Sequence, residues 1–250
     1  MYLSKGEVGI LLRLLESFFS IPYSNDLSGK DAETLIRLAK GVPDRPSKKK
    51  ELFDIVDGEM GYSVKTLGKV PTAVRVDLQE QRFCEVEQVR ELRAQGDKEP
   101  ALQGELLLTY IHNRIREQMV RRKVKVARSL ILLKHWDKAR TNFAFRYWEE
   151  DFFGWIETLA DRNRRGEIEW VVQSAGLHGR DRLRQDENGK NVRLIRMHYK
   201  HNQIFTDHDI PNDAIAINFS VRRRSWDEIA ELLLQAPALV PSRRVAQPRR

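Results

Sequence analysis

The stretch Glu51 to Leu67, ELFDIVDGEMGYSVKTL, decides how the chain is read. Asp57-Gly58 between two apolar runs marks a β-hairpin. If Asp57 to Met60 form a four-residue loop, Val56 faces Gly61, Ile55 faces Tyr62, Asp54 faces Ser63 and Phe53 faces Val64. Side chains alternate across a strand. Phe53, Ile55, Tyr62 and Val64 then share the core face, and Asp54, Ser63 and Lys65 share the other. A loop one residue shorter would set Asp54 opposite Val64 and scramble both faces, so burial selects the even loop. A carboxylate, a hydroxyl and an amine converge on one polar patch.

That trio has a chemistry. Hydrolysing a phosphodiester needs a divalent cation to stabilise charge and lower the pKa of a bound water. Mg²⁺ takes oxygen ligands, few of them protein carboxylates. Asp54 can supply one, and Lys65 can orient or deprotonate the water or offset developing charge. The same pattern also suits an amphipathic hairpin with a polar outer face.

Asp54 followed by Ser63-Val64-Lys65 resembles the signature of the PD-(D/E)XK nucleases, type II restriction endonucleases in particular. Some members carry Ser-Val-Lys or Ser-Ile-Lys where most have an acid two before the lysine, and a glutamate from elsewhere replaces that ligand. The run Gly61 to Gly68, followed by Pro71-Thr72, is similar to Gly-Phe-Ser-Ile-Lys-Ser segments of such enzymes. Lys5-Gly6-Glu7-Val8-Gly9 resembles the start of their first helix, whose glutamate points at the metal. The likeness lies in the first third of the chain. There are two departures: no proline precedes Asp54, and Ser63 stands at the acid position. The resemblance implies an α/β fold with a restriction-endonuclease-like mixed central sheet flanked by helices. It implies Mg²⁺ held by Asp54 and Glu7, with Ser63 and Lys65 beside it, and site-specific cleavage of double-stranded DNA. It also implies a homodimer, one active site per strand, and a DNA methyltransferase protecting the host site. Whether Asp54 or Asp57 is the metal aspartate stays open. So does the identity of the displaced acid among Glu7, Glu80, Glu85 and Glu87.

The 250 residues suffice for one large domain or two small ones. A net charge of +8 and a pI near 9.6 favour polyanionic partners. The single Cys84 excludes an internal disulfide and suits a reducing cytoplasm. The N-terminal apolar run carries charges, unlike a signal peptide or membrane span.

Lys5 to Ser20 places Val8, Leu11, Leu12, Leu15 and Phe19 on one helix face, and Ser4 with Glu7 forms a capping box. Glu7 therefore has a second role available, as a cap. A second helix runs from Asp31 to Lys40, and Pro43 to Lys50 is a loop with a charge run. Thr72 to Leu78 suits a strand and Glu80 to Gln95 a helix. Leu102 to Leu133 is helical in pattern, with a possible break. Its basic residues Arg114, Arg116, Arg121, Arg122, Lys123, Lys125 and Arg128 suit a phosphate backbone. In Thr141 to Leu159, Phe145, Trp148, Phe152 and Trp155 fall on helical spacing and point to a core or dimer interface. Glu167 to Gln173 suggests a strand. His178 to Tyr199 suggests a hairpin turning at Asn188-Gly189, with Arg180, Arg182 and Arg184 placed to read bases. A half-buried strand over Ala214 to Val221 precedes a helix over Ser225 to Leu234. His198, His201 and His208 lack the tight spacing and fourth ligand of a zinc site. No nucleotide-binding or serine-hydrolase motif is present.

Residues 1–100 form the expected catalytic core, 101–236 a helical and β-hairpin DNA-recognition and dimerisation extension completing the same fold, and 237–250 a disordered basic tail. Two alternatives accompany the restriction-enzyme expectation. One is a repair or phage-defence nuclease of the same fold. The other is a non-catalytic DNA-binding protein.

Overall fold

The hairpin forms in the even register, with Ile55 paired to Tyr62 and Val56 to Gly61. Asp57 also pairs with Met60, so the turn is tighter than a four-residue loop, and Gly58 takes the left-handed conformation at φ 57°. Removing two residues from the loop preserves parity, so two of the four expected facing pairs, Ile55–Tyr62 and Val56–Gly61, form, and the ladder ends before Asp54 and Phe53. The computed structural model describes residues 3–22, 24–43, 52–68, 72–76, 83–94, 98–173 and 176–235. The Lys48 to Lys50 run, Glu80 and the 237–250 tail lie outside them.

The chain opens with α1 (Lys5–Ser20) and α2 (Gly29–Ala39), then β1 (Ile55–Asp57), β2 (Met60–Leu67) and β3 (Thr72–Val76). A 3-10 turn at Phe83–Glu85 precedes α3 (Glu87–Ala94) and α4 (Pro100–Arg122). Next come β4 (Val126–Trp136), β5 (Asn142–Asp151) and α5 (Phe152–Arg164). The remainder is β6 (Ile168–Gln173), β7 (Gly176–Gln185), β8 (Asn191–His198), β9 (Gln203–His208), β10 (Ile215–Ser220) and α6 (Trp226–Gln235).

These strands make two five-stranded sheets. The first has the order β1-β2-β4-β5-β10 and is mixed, because β2 and β4 run parallel across the connection through α4. The second, β3-β9-β8-β7-β6, is antiparallel throughout. The fold is thus mixed α/β, mostly antiparallel, with flanking helices. One face of the first sheet packs on α1 and α2, where Leu11, Leu15, Phe19 and Ile36 meet Val64, Leu130 and Phe145. Its other face, through Ala127, shares a core with α4, α5 and the second sheet, including Ile111, Ile156, Trp170 and Ile195. Segments 1–100 and 101–236 therefore meet inside both sheets, at the β2–β4 and β3–β9 ladders. Among the described residues no helix is long and apolar enough to cross a membrane.

Four expectations need correction. The helical pattern over Leu102 to Leu133 ends at Arg122, where Lys123 turns left-handed at φ 55°, and Val126 begins a strand. A strand with a parallel neighbour and covered faces is apolar on both sides, so the period of two is lost. The basic group consequently divides, with Lys125 on the link and Arg128 on β4. The aromatic segment is also a strand first: Phe143, Phe145 and Tyr147 alternate on the α1 face, and the helix starts at Phe152 under the Asp151 cap. The helix expected over Glu80 to Gln95 is split into the 3-10 turn and α3. Phe53, finally, is buried on the opposite face from Ile55, Tyr62 and Val64, in the α4–α5 core. It lies over Gly61, where a Cβ would come within 2.6 Å of its ring. The strict alternation fails because β1 begins only at Ile55.

Candidate functional site

Asp54 sits just before β1, where the hairpin ladder is running out. Its carboxylate accepts a 2.7 Å hydrogen bond from the amide of Val64. Val64 lies between Ser63 and Lys65, so the carboxylate is fixed at the strand that carries both. The Asp54 amide in turn donates to the Tyr62 carbonyl at 2.8 Å. Ser63 is buried and Lys65 half-buried, because the sheet face they share is covered and not solvated. Parallel pairing puts Lys65 in one row with Ile131 and Trp148, a small apolar cluster completed by Leu67, Leu133, Ile210 and Ala214. Asp54 is thus anchored to the β2 backbone between Ser63 and Lys65, at the β1 edge of the first sheet.

The row of Ser63 continues through Ser129 to Glu150 on β5. Glu150 was not singled out in the sequence, since its stretch has helical spacing. Reading Phe143, Phe145 and Tyr147 as a period of two would have placed Glu150 on the opposite face with Trp148. One carboxylate oxygen of Glu150 accepts from the Trp148 indole at 2.9 Å, and the other lies 2.7 Å from His208 Nδ1. His208 Nε2 reaches Thr206 Oγ1 at 2.7 Å. This chain of contacts ties the first sheet to β9 of the second, and it occupies Glu150.

Glu7 is placed elsewhere. It completes the capping box of α1, accepting from the Ser4 amide at 2.7 Å while its own amide donates to Ser4 Oγ. Burial opposes its ionisation, but the Ser4 hydroxyl and amide and the Lys40 charge outweigh that, holding its pKa below the ordinary value. Its electrostatic neighbours Lys40, Tyr62 and Tyr147 lie on the α1–α2 side of the sheet, opposite Ser63 and Lys65. That side carries its own buried polar group. Tyr147 donates to Glu149 at 2.7 Å, Lys40 lies 4.0 Å from Glu149, and the Lys40 ammonium stands 4.7 Å from the centre of the Tyr62 ring. Glu85 and Glu87, the other candidate acids described, are exposed beside and on α3.

The buried phenols give a pH signature. Burial, then the charges of Glu149, Asp57 and Glu7, push Tyr62 up to about 12 against the opposing pull of Arg128. Tyr147 moves the same way, chiefly through burial beside Glu149. An unfolded tyrosine ionises near pH ~10. A raised folded pKa means stability that is complete below pH ~10 and is lost as pH rises toward ~12. Tyr62→Phe should therefore move the alkaline unfolding midpoint, followed by tryptophan fluorescence, to higher pH. An unchanged midpoint would show that Tyr62 does not limit alkaline stability.

The basic candidates are spread over several elements. Arg121 donates to Gln118 at 2.6 Å, and Arg121 and Arg122 both occupy the last turn of α4. Lys125 forms a 2.7 Å pair with Glu59 at the hairpin turn, both side chains being well exposed. On β7, Arg180 donates to Gln173 at 2.6 Å, Arg182 is exposed, and Arg184 pairs with Asp209 at 2.6 Å. Pairing of β7 with β8 is irregular between Arg180 and Gln185, so these three arginines do not form one regular ladder. Arg193 and Arg196 on β8 were passed over in the sequence and lie opposite Arg180 and His178.

Among the described residues no three His, Cys, Asp or Glu side chains gather as a metal-binding group. Mg²⁺ commonly needs only one or two carboxylates, with water and substrate phosphates filling the rest. Asp54 and the Ser63 hydroxyl fit that minimal donor set. An open cleft between α1 and α6, lined by Glu16, Arg224 and Glu228, contains none of these residues. No family model, curated protein or solved structure matches the chain.

Proposed function

We propose that the chain is a type II restriction endonuclease, a Mg²⁺-dependent hydrolase of phosphodiester bonds at a specific site in double-stranded DNA. The observation that carries this reading is the Asp54 carboxylate held 2.7 Å from the Val64 amide, between Ser63 and Lys65. Three further features support it. The hairpin lies at an edge of a mixed sheet, β2 runs parallel to the next strand across a helical crossover, and helices cover both faces. These are the parts expected of a restriction-endonuclease-like fold.

In this reading Asp54 and the Ser63 hydroxyl would hold the ion. The ion, when bound, stabilises charge on the phosphate and acidifies a water. Lys65, its stem in the row of Ile131 and Trp148, positions its ammonium at the phosphate or the attacking water. Its apolar surroundings strengthen that interaction relative to water. Glu7 holds the start of α1 in place. Two copies act as a homodimer on the two strands, and a methyltransferase protects the host site.

The decisive test is incubation of the protein with phage DNA and Mg²⁺, followed by sequencing of the ends. Ends at one repeated sequence support the proposal. Cleavage only at mismatches, nicks or modified bases points to a repair or defence nuclease. No metal-dependent cleavage of any DNA leaves a non-catalytic DNA-binding protein.

The basic residues divide into grip and reading. The exposed Lys125–Glu59 pair is worth about 0–1 kcal/mol, so Lys125 can exchange Glu59 for a phosphate at little cost. Replacing Arg121 and Lys125 by alanine should weaken all duplexes alike and flatten the salt dependence by about one unit of slope per contact. Arg182→Ala should instead cost cognate binding about 1–3 kcal/mol and spare scrambled duplexes. Equal losses on both duplexes would make Arg182 another phosphate contact.

A further inference from the structure

The second sheet has one face turned to α4 and one turned away. Leu177, Gly179, Ile195, Met197 and Trp170 face inward, and α4 packs on that side. The row next to them on β7, β8 and β9 is His178, Arg196 and Phe205, directly paired. Arg180 pairs with Arg193 beside it, and His198 pairs with Gln203 one step along. Three arginines and two histidines therefore gather on the outward face.

Their countercharge is incomplete. Arg193 is matched by Asp207 at 2.7 Å, and Arg180 donates to the neutral Gln173. Glu169, the pairing partner of Arg180 on β6, accepts from Asn191 at 3.1 Å. Arg196 lies over the Phe205 ring at 4.8 Å from the centroid, and its Nε is buried with no hydrogen-bond partner among the described residues. A buried guanidinium donor without an acceptor costs free energy until an acceptor arrives. The titration of the neighbours agrees. His178 is pushed down to about 4 by burial first, then by Arg193, Arg180, His198 and Arg196. His198 is lowered by burial, Arg196, Arg193 and His201, with Asp207 opposing. Burial and Arg193 lower even Arg196, although Asp207 opposes them. Three cationic side chains in this potential call for an anion with several acceptor oxygens. Arginine suits phosphate in particular, because its planar fork gives two parallel donors.

We propose that the outward face of the second sheet is a phosphate-binding site, in which Arg196 supplies the central donors and Arg193, Arg180, His178 and His198 surround it. Its ligand is a phosphate group, either a phosphodiester of a polynucleotide lying across the strands or a free phosphate. The site is independent of the Asp54–Lys65 chemistry and needs no cleavage.

The test follows the imidazole signals of His178 and His198 by NMR across pH, without metal. The full chain is titrated alone, with inorganic phosphate, and with a short duplex oligonucleotide. A bound phosphate favours the charged imidazole, so both midpoints should rise when the site is filled. Arg196→Gln should remove the rise and weaken binding about tenfold or more. A rise with the duplex alone assigns a polynucleotide ligand, and a rise with inorganic phosphate assigns a site open to any phosphate. Unmoved midpoints in the wild-type chain with both ligands overturn the proposal whether or not Arg196→Gln folds. So does an Arg196→Gln chain that melts normally and binds as the wild type does. A chain that binds phosphate here and cuts no DNA retains this site and loses only the nuclease reading.

Discussion

Lys65→Met and Asp54→Asn are each expected to lower Mg²⁺-dependent cleavage of duplex DNA by about a hundredfold or more, the usual cost of losing a proton-transfer or charge-stabilising group. Both changes are chosen to spare the fold. Methionine keeps an unbranched apolar stem beside Ile131 and Trp148. Asparagine still offers an oxygen to the Val64 amide, the bond that fixes position 54 at 2.7 Å. Melting temperature and duplex affinity without metal should therefore stay near the wild-type values. That combination separates chemistry from architecture. Lost cleavage with lost folding would leave the roles unassigned, and the Asp54→Asn bond is what makes that outcome avoidable. Either variant cutting at close to the wild-type rate would remove its residue from the mechanism. Asp57→Asn is the companion measurement. Asp57 pairs with Met60 at the turn and acts electrostatically on Tyr62, on the face away from Ser63. Cleavage abolished by Asp57→Asn and retained by Asp54→Asn would transfer the metal role to the turn.

The hairpin was legible because its signals are local. Asp57-Gly58 marks the turn, and only one parity buries Ile55, Tyr62 and Val64 together. The capping box at Ser4–Glu7 was legible for the same reason, being complete within four residues, and Ser225 and Glu228 make the same pair of bonds at the start of α6. What failed depends on contacts between distant segments. Val126 to Leu133 has no period of two because the strand lies between β2 and β5 with both faces covered. Phe145, Trp148, Phe152 and Trp155 mimic a helix because their spacing straddles the strand-to-helix boundary at Asp151. Placing those two strands correctly is what brings Glu150 into the Ser63 row. Ser63 is buried inside a row that a lone hairpin would lack, beside Ser129 and Glu150, the latter paired with His208 of β9. Glu7 could be read as a cap or as a metal ligand from sequence, since both roles use a glutamate at the start of a helix. The structure places it in the capping box, on the α1–α2 side. Arg193 and Arg196 were hidden because irregular pairing between Gly179 and Arg180 interrupts the alternation that would have displayed them.

Gly104→Ala is expected to destabilise the protein, although it raises helix propensity. Gly104 lies inside α4, where alanine is normally favoured over glycine by about 1 kcal/mol. Here a Cβ would lie 2.1 Å from the ring of Trp170 on β6. The ring has little room to retreat. Its Nε1 donates to Asn163 at 2.7 Å, and on another side a Cβ at Gly179 would already be 2.9 Å away. Trp170 is thus packed between two glycines, and those glycines set the distance between α4 and the second sheet. Overpacking of a filled core costs about 1–3 kcal/mol and sometimes more. The clash should exceed the propensity gain and lower the stability measured by urea unfolding. Trp170→Leu alone should also destabilise, since it empties much of the space that a buried indole fills. In the Trp170→Leu background, however, Gly104→Ala should lose its cost and recover part of the lost packing. A coupling of about 0.5–3 kcal/mol between the two changes is expected for residues in direct contact. If Gly104→Ala stabilises the wild-type chain, α4 and β6 are further apart than this packing requires. The core joining the helices to the second sheet would then not be set by the indole.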